Sequence, residues 1–245
     1  LEDKYDDVKK WRYGLEELNL RDSDEATVCF TKGGKKMYFT RSTHLKNKYN
    51  PKRIYSVELK SGQFSEAVEE NIPVDQLIDV QHPAISGDGK ILYFVADMEG
   101  GFGGYDIYSC EYSRRDKSWG EPKNLGEKIN TAGDEKFPYI SKSGALFFAS
   151  NGHPGMGGLD IYKAAHNESS DGSVEDLFNT AENLQYPVNT CYDDFGIVFQ
   201  THDQTQTEPE LKGFFSSNRV GSKWKSKGNV DIYYFDKQQI FFSLS

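Results

Sequence analysis

Acidic pairs recur along the sequence, and paired carboxylates can do catalytic chemistry. Asp24-Glu25, Asp134-Glu135 and Asp193-Asp194 each precede a run of strand-forming residues. Glycosidases use two carboxylates that face each other across a sugar, about 5 to 10 Å apart. Adjacent residues on an extended chain point to opposite sides instead. We therefore expect these pairs to cap strand edges, and we assign no catalytic residue.

Two glycine-rich segments, residues 100–104 and 155–158, look like phosphate-binding loops. A phosphate cradle needs a helix N-terminus directly behind the glycines. Both segments run into a strand instead. Gly104, Gly158 and their neighbours are therefore predicted to allow tight connections between strands, and no cofactor is expected.

An aspartate stands directly before Ile-Tyr at three places, Asp106, Asp160 and Asp231. A residue that recurs in every repeat more often fixes a turn than performs catalysis. We expect each aspartate to accept backbone N–H bonds from the loop before it. A calcium ion held by carboxylate and carbonyl oxygens is the alternative. The five histidines show no zinc spacing, so no metal ligand is assigned.

These candidate residues lie on a repeat whose clearest copies begin at His82 and Phe137, 55 positions apart (137 − 82). Each copy contains two apolar runs joined by an Asp-Gly or Ser-Gly turn, which is typical of a β-hairpin. A glycine-rich loop, an Asp-Ile-Tyr strand and a more polar fourth segment follow. A repeat of this length with four strands is typical of a propeller blade. The predicted fold is all-β, a β-propeller of four-stranded antiparallel blades.

Four repeats are recognisable, and we assign them to a single propeller domain over residues 1–245. The repeats cover roughly 21–72, 81–125, 135–184 and 193–236. Residues 1–20 are interpreted as a closing strand or linker, and residues 237–245 as the exit to a following domain. Because the terminal segments can join the ring or stay outside it, four or five blades are expected.

Composition narrows the classes of partner. The formal net charge of −9 repels nucleic acid phosphates. No stretch approaches the roughly 20 apolar residues of a membrane-spanning helix, and residues 1–10 are too acidic and polar for a signal peptide. Cys29, Cys110 and Cys191 form no CxxC pair, so we expect buried thiols in strands, with a single disulfide as the alternative.

Three stretches carry a resemblance to a known family, residues 124–131, 150–162 and 214–219. Together with the blade pattern, they resemble the TolB-type or WD-like propeller of Bacteroidetes OmpA-family periplasmic proteins, most closely the member in the type IX secretion system. The similarity spans residues 26–235. It implies a periplasmic module associated with the outer membrane, tethered to peptidoglycan by a domain outside this chain. It names no catalytic or contact residue.

The function predicted from these observations is a non-catalytic scaffold that binds protein components of an outer-membrane or secretion assembly. Basic loops on an acidic protein suit an acidic partner or an anionic glycan. The predicted contact residues are exposed-loop candidates: Tyr49, Lys52, Arg53, Phe102, Met156, Lys223 and Trp224.

Two alternatives involve glycans. One is a glycan-hydrolysing propeller with carboxylates from different blades in its axial channel. The other is a module that binds peptidoglycan or another cell-wall glycan, with Trp119 or Trp224 as a stacking platform.

Overall fold

The computed structural model describes residues 18, 20, 22–43, 50–170, 172–200, 212–220 and 230–236. In this part of the chain the fold is an all-β propeller with four antiparallel blades, which confirms the predicted fold class. Among the described residues, one 3-10 turn, Val174–Asp176, lies between strands, and no described helix is long and apolar enough to cross a bilayer. The strands are β1 (Ser23–Phe30), β2 (Lys36–Thr43), β3 (Arg53–Lys60), β4 (Gln63–Phe64), β5 (Val68–Glu69), β6 (Val80–Ile85), β7 (Ile91–Ala96), β8 (Asp106–Ser113), β9 (Ser118–Trp119), β10 (Lys123–Asn124), β11 (Glu135–Ile140), β12 (Leu146–Ser150), β13 (Asp160–Ala164), β14 (Glu182–Asn183), β15 (Asp194–Phe199), β16 (Lys212–Ser217) and β17 (Asp231–Asp236).

Each blade is one sheet whose strands follow the chain order. Blade 1 has the order β1-β2-β3-β4, with β5 also paired to β3. Blade 2 has the order β6-β7-β8-β10, with β9 paired to β8, and blade 3 runs from β11 to β14. Blade 4 contains β15, β16 and β17. The four blades coincide with the four predicted repeats.

The chain divides into two compact units. Unit 1 comprises Leu1–Ala96 and Cys110–Pro122, and unit 2 comprises Asp97–Ser109 and Lys123–Ser245. Strand β8 contributes residues to both. The assignment of residues 1–245 to a single domain stays a prediction, and the terminal segments 1–17 and 237–245 lie outside the described residues.

In blades 2 and 3, the second strand is the most apolar element. In β7 and β12, nearly every side chain is buried on both faces of the sheet. A strand covered on both faces needs a continuous apolar run, and this is the pattern of Ile91–Ala96 and Leu146–Ser150. The turns that lead into these strands contain Gly89 and Gly144, whose positive φ angles of 72° and 84° favour glycine.

Separate apolar clusters lie in the two units. In unit 1, Met37, Phe39 and Val57 form the centre of a cluster that Leu18 completes. In unit 2, aromatic rings dominate, and the Phe199 ring lies 4.7 Å from the Phe147 ring, centroid to centroid. The unit 2 cluster consists of Ala145, Phe147, Ile161, Val188, Ile197, Phe199, Phe215 and Phe235.

The first strand of every blade contains a β-bulge. The strand register shifts within β1, β6, β11 and β15. At each shift one residue has a positive φ, namely Thr27, His82, Phe137 and Gly196. Three of the four have side chains that disfavour this conformation. The bulge is therefore a repeated feature of the blade that residue type alone does not reveal.

A partly buried ionic contact joins three segments of unit 1. Glu70 accepts hydrogen bonds from Lys36 Nζ and from Trp119 Nε1, both at 2.7 Å. Burial opposes ionisation of Glu70, but these bonds and one from Ser56 outweigh it and lower the pKa of Glu70 below its usual value. Trp119 is itself buried, so it is not available as a stacking platform for glycans.

We expect Glu70→Gln to destabilise the protein by about 1–3 kcal/mol near neutral pH, because Lys36 loses its anionic partner. A lowered folded-state pKa contributes stability above the unfolded value, which is near 4.5, and loses it as pH falls through the folded value. The difference between wild type and variant should therefore shrink as the pH falls below 4.5. Urea unfolding of both proteins between about pH 3 and about pH 7 measures this difference in the free energy of unfolding.

The control for this prediction is Glu58→Gln, which removes the exposed carboxylate paired with Lys60 in the same blade. An exposed ion pair contributes little, so this variant should unfold as the wild type does. A Glu70→Gln effect that stays constant across the pH range would contradict the assigned ionic role.

The three cysteines are all free thiols, which settles the disulfide alternative in this structure. Cys110 is buried, Cys29 is half-buried, and Cys191 is exposed. Burial raises the pKa of Cys29 and of Cys110 to about 12. Both thiols are therefore protonated and unreactive at neutral pH.

We expect a thiol-reactive chromophore to label one cysteine in the native protein and three after unfolding. The rapid reaction should belong to Cys191, because only this thiol is exposed. Cys191→Ser should abolish native labelling. Fast labelling that persists in this variant would show that a thiol of the strands is accessible.

Candidate functional site

The candidate site is built from connecting loops of unit 2. We call residues 100–104 and 155–158 the glycine loops. We call residues 131–134 and 190–193 the capping loops, because each precedes the first strand of a blade. The sequence repeats in both sets, and so do the contacts described below.

An aspartate at the start of the third strand holds each glycine loop. Asp106 Oδ2 accepts hydrogen bonds from Phe102 N at 2.6 Å and from Asn124 Nδ2 at 2.8 Å. Asp160 Oδ2 accepts from Met156 N at 2.5 Å and from Gly157 N at 3.0 Å. Carboxylate oxygens thus satisfy N–H groups that no strand partner reaches.

The glycine loops contact the capping loops through backbone atoms. A Cβ atom on Gly103 would lie closer than 3.0 Å to the carbonyl oxygens of Thr131 and Gly133. A Cβ atom on Gly157 would meet the carbonyl oxygens of Thr190 and Tyr192 in the same way. Glycine is required here for close approach, because rigid backbone cannot give way to a side chain.

Two buried asparagines bond to both backbone groups of a neighbouring strand residue. Asn130 accepts from Ile107 N at 2.8 Å and donates to Ile107 O at 2.9 Å. Asn189 makes the same two bonds with Ile161, both at 2.8 Å. The repeated Asn-Thr dipeptide at 130–131 and 189–190 was a sequence signal for this contact, which the predictions from the sequence did not include.

Two of the acidic pairs belong to the capping loops. Glu135 is fully buried, and its two carboxylate oxygens accept from Thr131 N, Thr131 Oγ1 and Ser150 Oγ at 2.6–2.9 Å. Asp194 accepts from Thr190 N at 2.7 Å and is paired with Arg219. These acids hold backbone and offer no free oxygen to a substrate.

The other member of each pair reaches towards a glycine loop. Asp134 Oδ1 accepts from Tyr105 N at 3.0 Å, and Asp193 Oδ1 accepts from Leu159 N at 2.9 Å. Burial opposes ionisation of Asp134, but the bond and charge of Lys136 outweigh it and lower the pKa of Asp134. The carboxylate therefore stays ionised while it holds the loop.

Apolar side chains project from this hydrogen-bonded framework into solvent. Phe102 and Met156 occupy matching places in the two glycine loops, and their side chains are 48% and 45% exposed. Tyr192 in the second capping loop is 37% exposed. We call Phe102, Met156 and Tyr192 the rim residues. Exposed apolar side chains on fixed backbone are suited to binding a partner.

The remaining predicted contact residues fall into two groups. Tyr49, Lys223 and Trp224 lie outside the described residues. Lys52 pairs with Asp79, Nζ to Oδ2, at 3.4 Å. Arg53 is mostly buried, and its guanidinium donates to the carbonyl oxygens of Ile78 and Asp75. Lys52 and Arg53 therefore make internal contacts in unit 1.

The predicted structural aspartates also differ in what surrounds them. Asp106 and Asp160 hold glycine loops, and Gly104 and Gly158 lie against capping-loop carboxylates. Asp231 begins β17 and pairs in register with Ser217, but the loop before it, residues 221–229, lies outside the described residues. Among the described residues, no three His, Cys, Asp or Glu side chains group as a metal site.

No protein-family model and no curated protein matches this sequence. Among solved structures, the chain is similar to a glycoside hydrolase, at 10% identity and a TM-score of 0.52, covering 88% of this chain and 71% of the hydrolase. It is similar to an exo-β-1,3-galactanase from Clostridium thermocellum, at 12% identity and a TM-score of 0.51, covering 89% of this chain and 48% of the galactanase.

A third similar structure is a luciferin-regenerating enzyme, at 15% identity and a TM-score of 0.50, covering 90% of this chain and 64% of the enzyme. The chain thus spans less than two thirds of that enzyme and about half of the galactanase. At these identities the likeness establishes the propeller fold alone. It overturns the prediction that the chain is not an enzyme, because these three similar structures are enzymes and the fold therefore admits an enzymatic role.

Proposed function

We propose that this chain is a protein-binding module of a periplasmic, outer-membrane-associated protein. Its partners are protein components of an outer-membrane or secretion assembly. The observation that supports the proposal is the rim of unit 2, where apolar side chains are exposed on loops whose backbone is hydrogen-bonded from beneath. The resemblance to PorE, the type IX secretion member of the OmpA-type propellers, supports the location and the class of partner.

Preorganisation is the physical reason for using such loops. Ordering a flexible loop on binding costs free energy, which lowers the affinity that a given contact area can provide. In unit 2, the Asp106 and Asp160 carboxylates and the Asn130 and Asn189 amides have already ordered the loops. Phe102 and Met156 can then contribute buried apolar area with little additional entropy cost.

The proposal also assigns the peptidoglycan tether to a domain outside this chain. Stacking on a sugar ring needs an exposed aromatic platform, and Trp119 is buried beside Tyr38 and Glu70. The described residues therefore support protein binding by the rim better than glycan binding by Trp119.

The binding test compares the wild type with a Phe102→Ser/Met156→Ser double variant as bait in a solubilised Bacteroidetes outer-membrane extract. We expect mass spectrometry to identify secretion-assembly proteins with the wild type, and at least a tenfold loss with the double variant, which corresponds to about 1.4 kcal/mol. The matched control is Leu77→Ser, which changes an exposed apolar residue of unit 1.

Equal capture by both variants would contradict a role for the rim. Release of reducing sugars from envelope glycans by the wild type, without protein capture, would replace the proposal with the glycan-hydrolase alternative. Retention on purified peptidoglycan sacculi by this chain alone would contradict the assignment of the tether to another domain.

Loop order itself can be tested with Gly103→Ala, because the new methyl group meets the carbonyl oxygens of Thr131 and Gly133. We expect a loss of about 1–3 kcal/mol in the free energy of unfolding and faster hydrogen exchange at Phe102 N. The control is Gly87→Ala, where a Cβ atom meets nothing within 4 Å. Similar stabilities for the two variants would show that the loops are not held as described.

A further inference from the structure

Three of the six buried acids in the described residues are paired with a basic side chain, as are the half-buried Glu25 and Glu70. Arg41 pairs with Glu25, Lys36 with Glu70, Lys52 with Asp79, Arg219 with Asp194 and Lys212 with Asp236. This follows from electrostatics, because a carboxylate removed from water costs free energy unless a counter-charge or hydrogen bonds replace the solvent.

Asp106 and Asp160 are two of the three buried acids without such a pair among the described residues. Each is 1% exposed, and neither forms an ion pair with any described residue. In each, Oδ2 accepts the loop bonds described above, whereas Oδ1 is buried and has no hydrogen-bond partner in the described chain. The fully buried Glu135 also lacks a basic partner, but both of its oxygens accept hydrogen bonds. A buried carboxylate in this protein can therefore have both oxygens hydrogen-bonded. The Oδ1 atoms of Asp106 and Asp160, which have no partner, need an explanation other than burial.

The two bare oxygens occupy the same place in two successive blades. Both belong to the first residue of a third strand, and the other oxygen of each carboxylate accepts hydrogen bonds from a glycine loop. Near Oδ2 of each carboxylate, a tyrosine hydroxyl lies 3.0 Å from the position of a Cβ atom on a loop glycine, Tyr108 at Gly101 and Tyr162 at Gly155. A repeated orphan oxygen in a repeated cradle points to a common ligand.

Blade 1 supplies an internal comparison. Its third strand begins Arg53-Ile54-Tyr55, so an arginine stands where the other blades have the aspartate. This blade has no glycine loop, and the Arg53 guanidinium donates directly to the carbonyl oxygens of Ile78 and Asp75. In blade 1, which lacks a glycine loop, the Arg53 guanidinium is thus a cation from the chain itself that binds carbonyl oxygens.

We propose that each glycine loop of unit 2 binds a hard cation of the calcium class, with Asp106 Oδ1 as the anionic ligand in one site and Asp160 Oδ1 in the other. Calcium accepts six to eight oxygen ligands in flexible geometry, so backbone carbonyl oxygens of the loop and water complete each site. With a single carboxylate per site, the affinity belongs to the weak class of extracellular modules, with Kd of about 10⁻⁴–10⁻³ M.

Terbium luminescence gives the first test, because Tyr108 and Tyr162 lie close enough to the proposed sites to sensitise a bound Tb³⁺ ion. We expect the full chain to bind two Tb³⁺ ions that excess Ca²⁺ displaces. Asp106→Asn and Asp160→Asn should each lose one ion, and the double variant should lose both. The control is Asp88→Asn, which removes an exposed carboxylate of the β6–β7 turn and should retain both ions.

Thermal unfolding gives a second test. A cation ligand and a purely structural aspartate predict opposite changes in stability. Ca²⁺ should raise the melting temperature of the wild type by a few degrees relative to EDTA, with no effect on the double variant. In EDTA, each Asn variant should be as stable as the wild type or more stable, because it removes an uncompensated buried charge.

A purely structural aspartate predicts the opposite: the Asn variants would be less stable in EDTA, and Ca²⁺ would not stabilise the wild type. Absence of Ca²⁺ stabilisation in the wild type overturns the proposal. So does Tb³⁺ binding that survives in the double variant, since the ions would then occupy surface carboxylates.

Discussion

The structure of unit 2 depends on satisfying backbone groups in loops that pair with no strand. A buried N–H or C=O without a partner costs free energy comparable to a lost hydrogen bond. The chain meets this need with short polar side chains: Asp106 and Asp160 take the N–H groups of the glycine loops, while Asn130 and Asn189 bond to both groups of a neighbouring strand residue. The glycines follow from the same constraint, since only they allow the loops to approach each other this closely.

This framework separates the residues that hold the loops from those that face solvent. The buried polar atoms of these carboxylates and amides have hydrogen-bond partners, apart from one oxygen of Asp106 and one of Asp160. Phe102, Met156 and Tyr192 point outwards and carry no structural bond through their side chains. Residues at these outward positions can therefore be substituted while the blade stays folded. This allows one fold to bind different partners or to carry different chemistries.

The sequence predicted the blades well because their signals are local. Hairpin turns, apolar runs and the Asp-Ile-Tyr marker lie within a few residues of the structure that they specify, and the predicted repeats match the four sheets. The bulges at Thr27, His82 and Phe137 could not be predicted, because their positive φ depends on register with a neighbouring strand. Arg53 illustrates a second limit: its charge suggested an exposed contact, but carbonyl oxygens more than twenty residues away bind its guanidinium.

The distinction between residues that hold the loops and residues that face solvent also bears on catalysis. Glu135 and Asp194 belong to the recurring acidic pairs that could do catalytic chemistry, yet both are fully buried and hold their own capping loops. Either could exchange a proton with a substrate only by releasing Thr131 or Thr190, which would free the loop that shapes the rim. An enzymatic role, which the fold admits, would therefore have to use acids other than these two. At Glu135 and Asp194, the bonds that hold the capping loops occupy the oxygens that proton transfer would need.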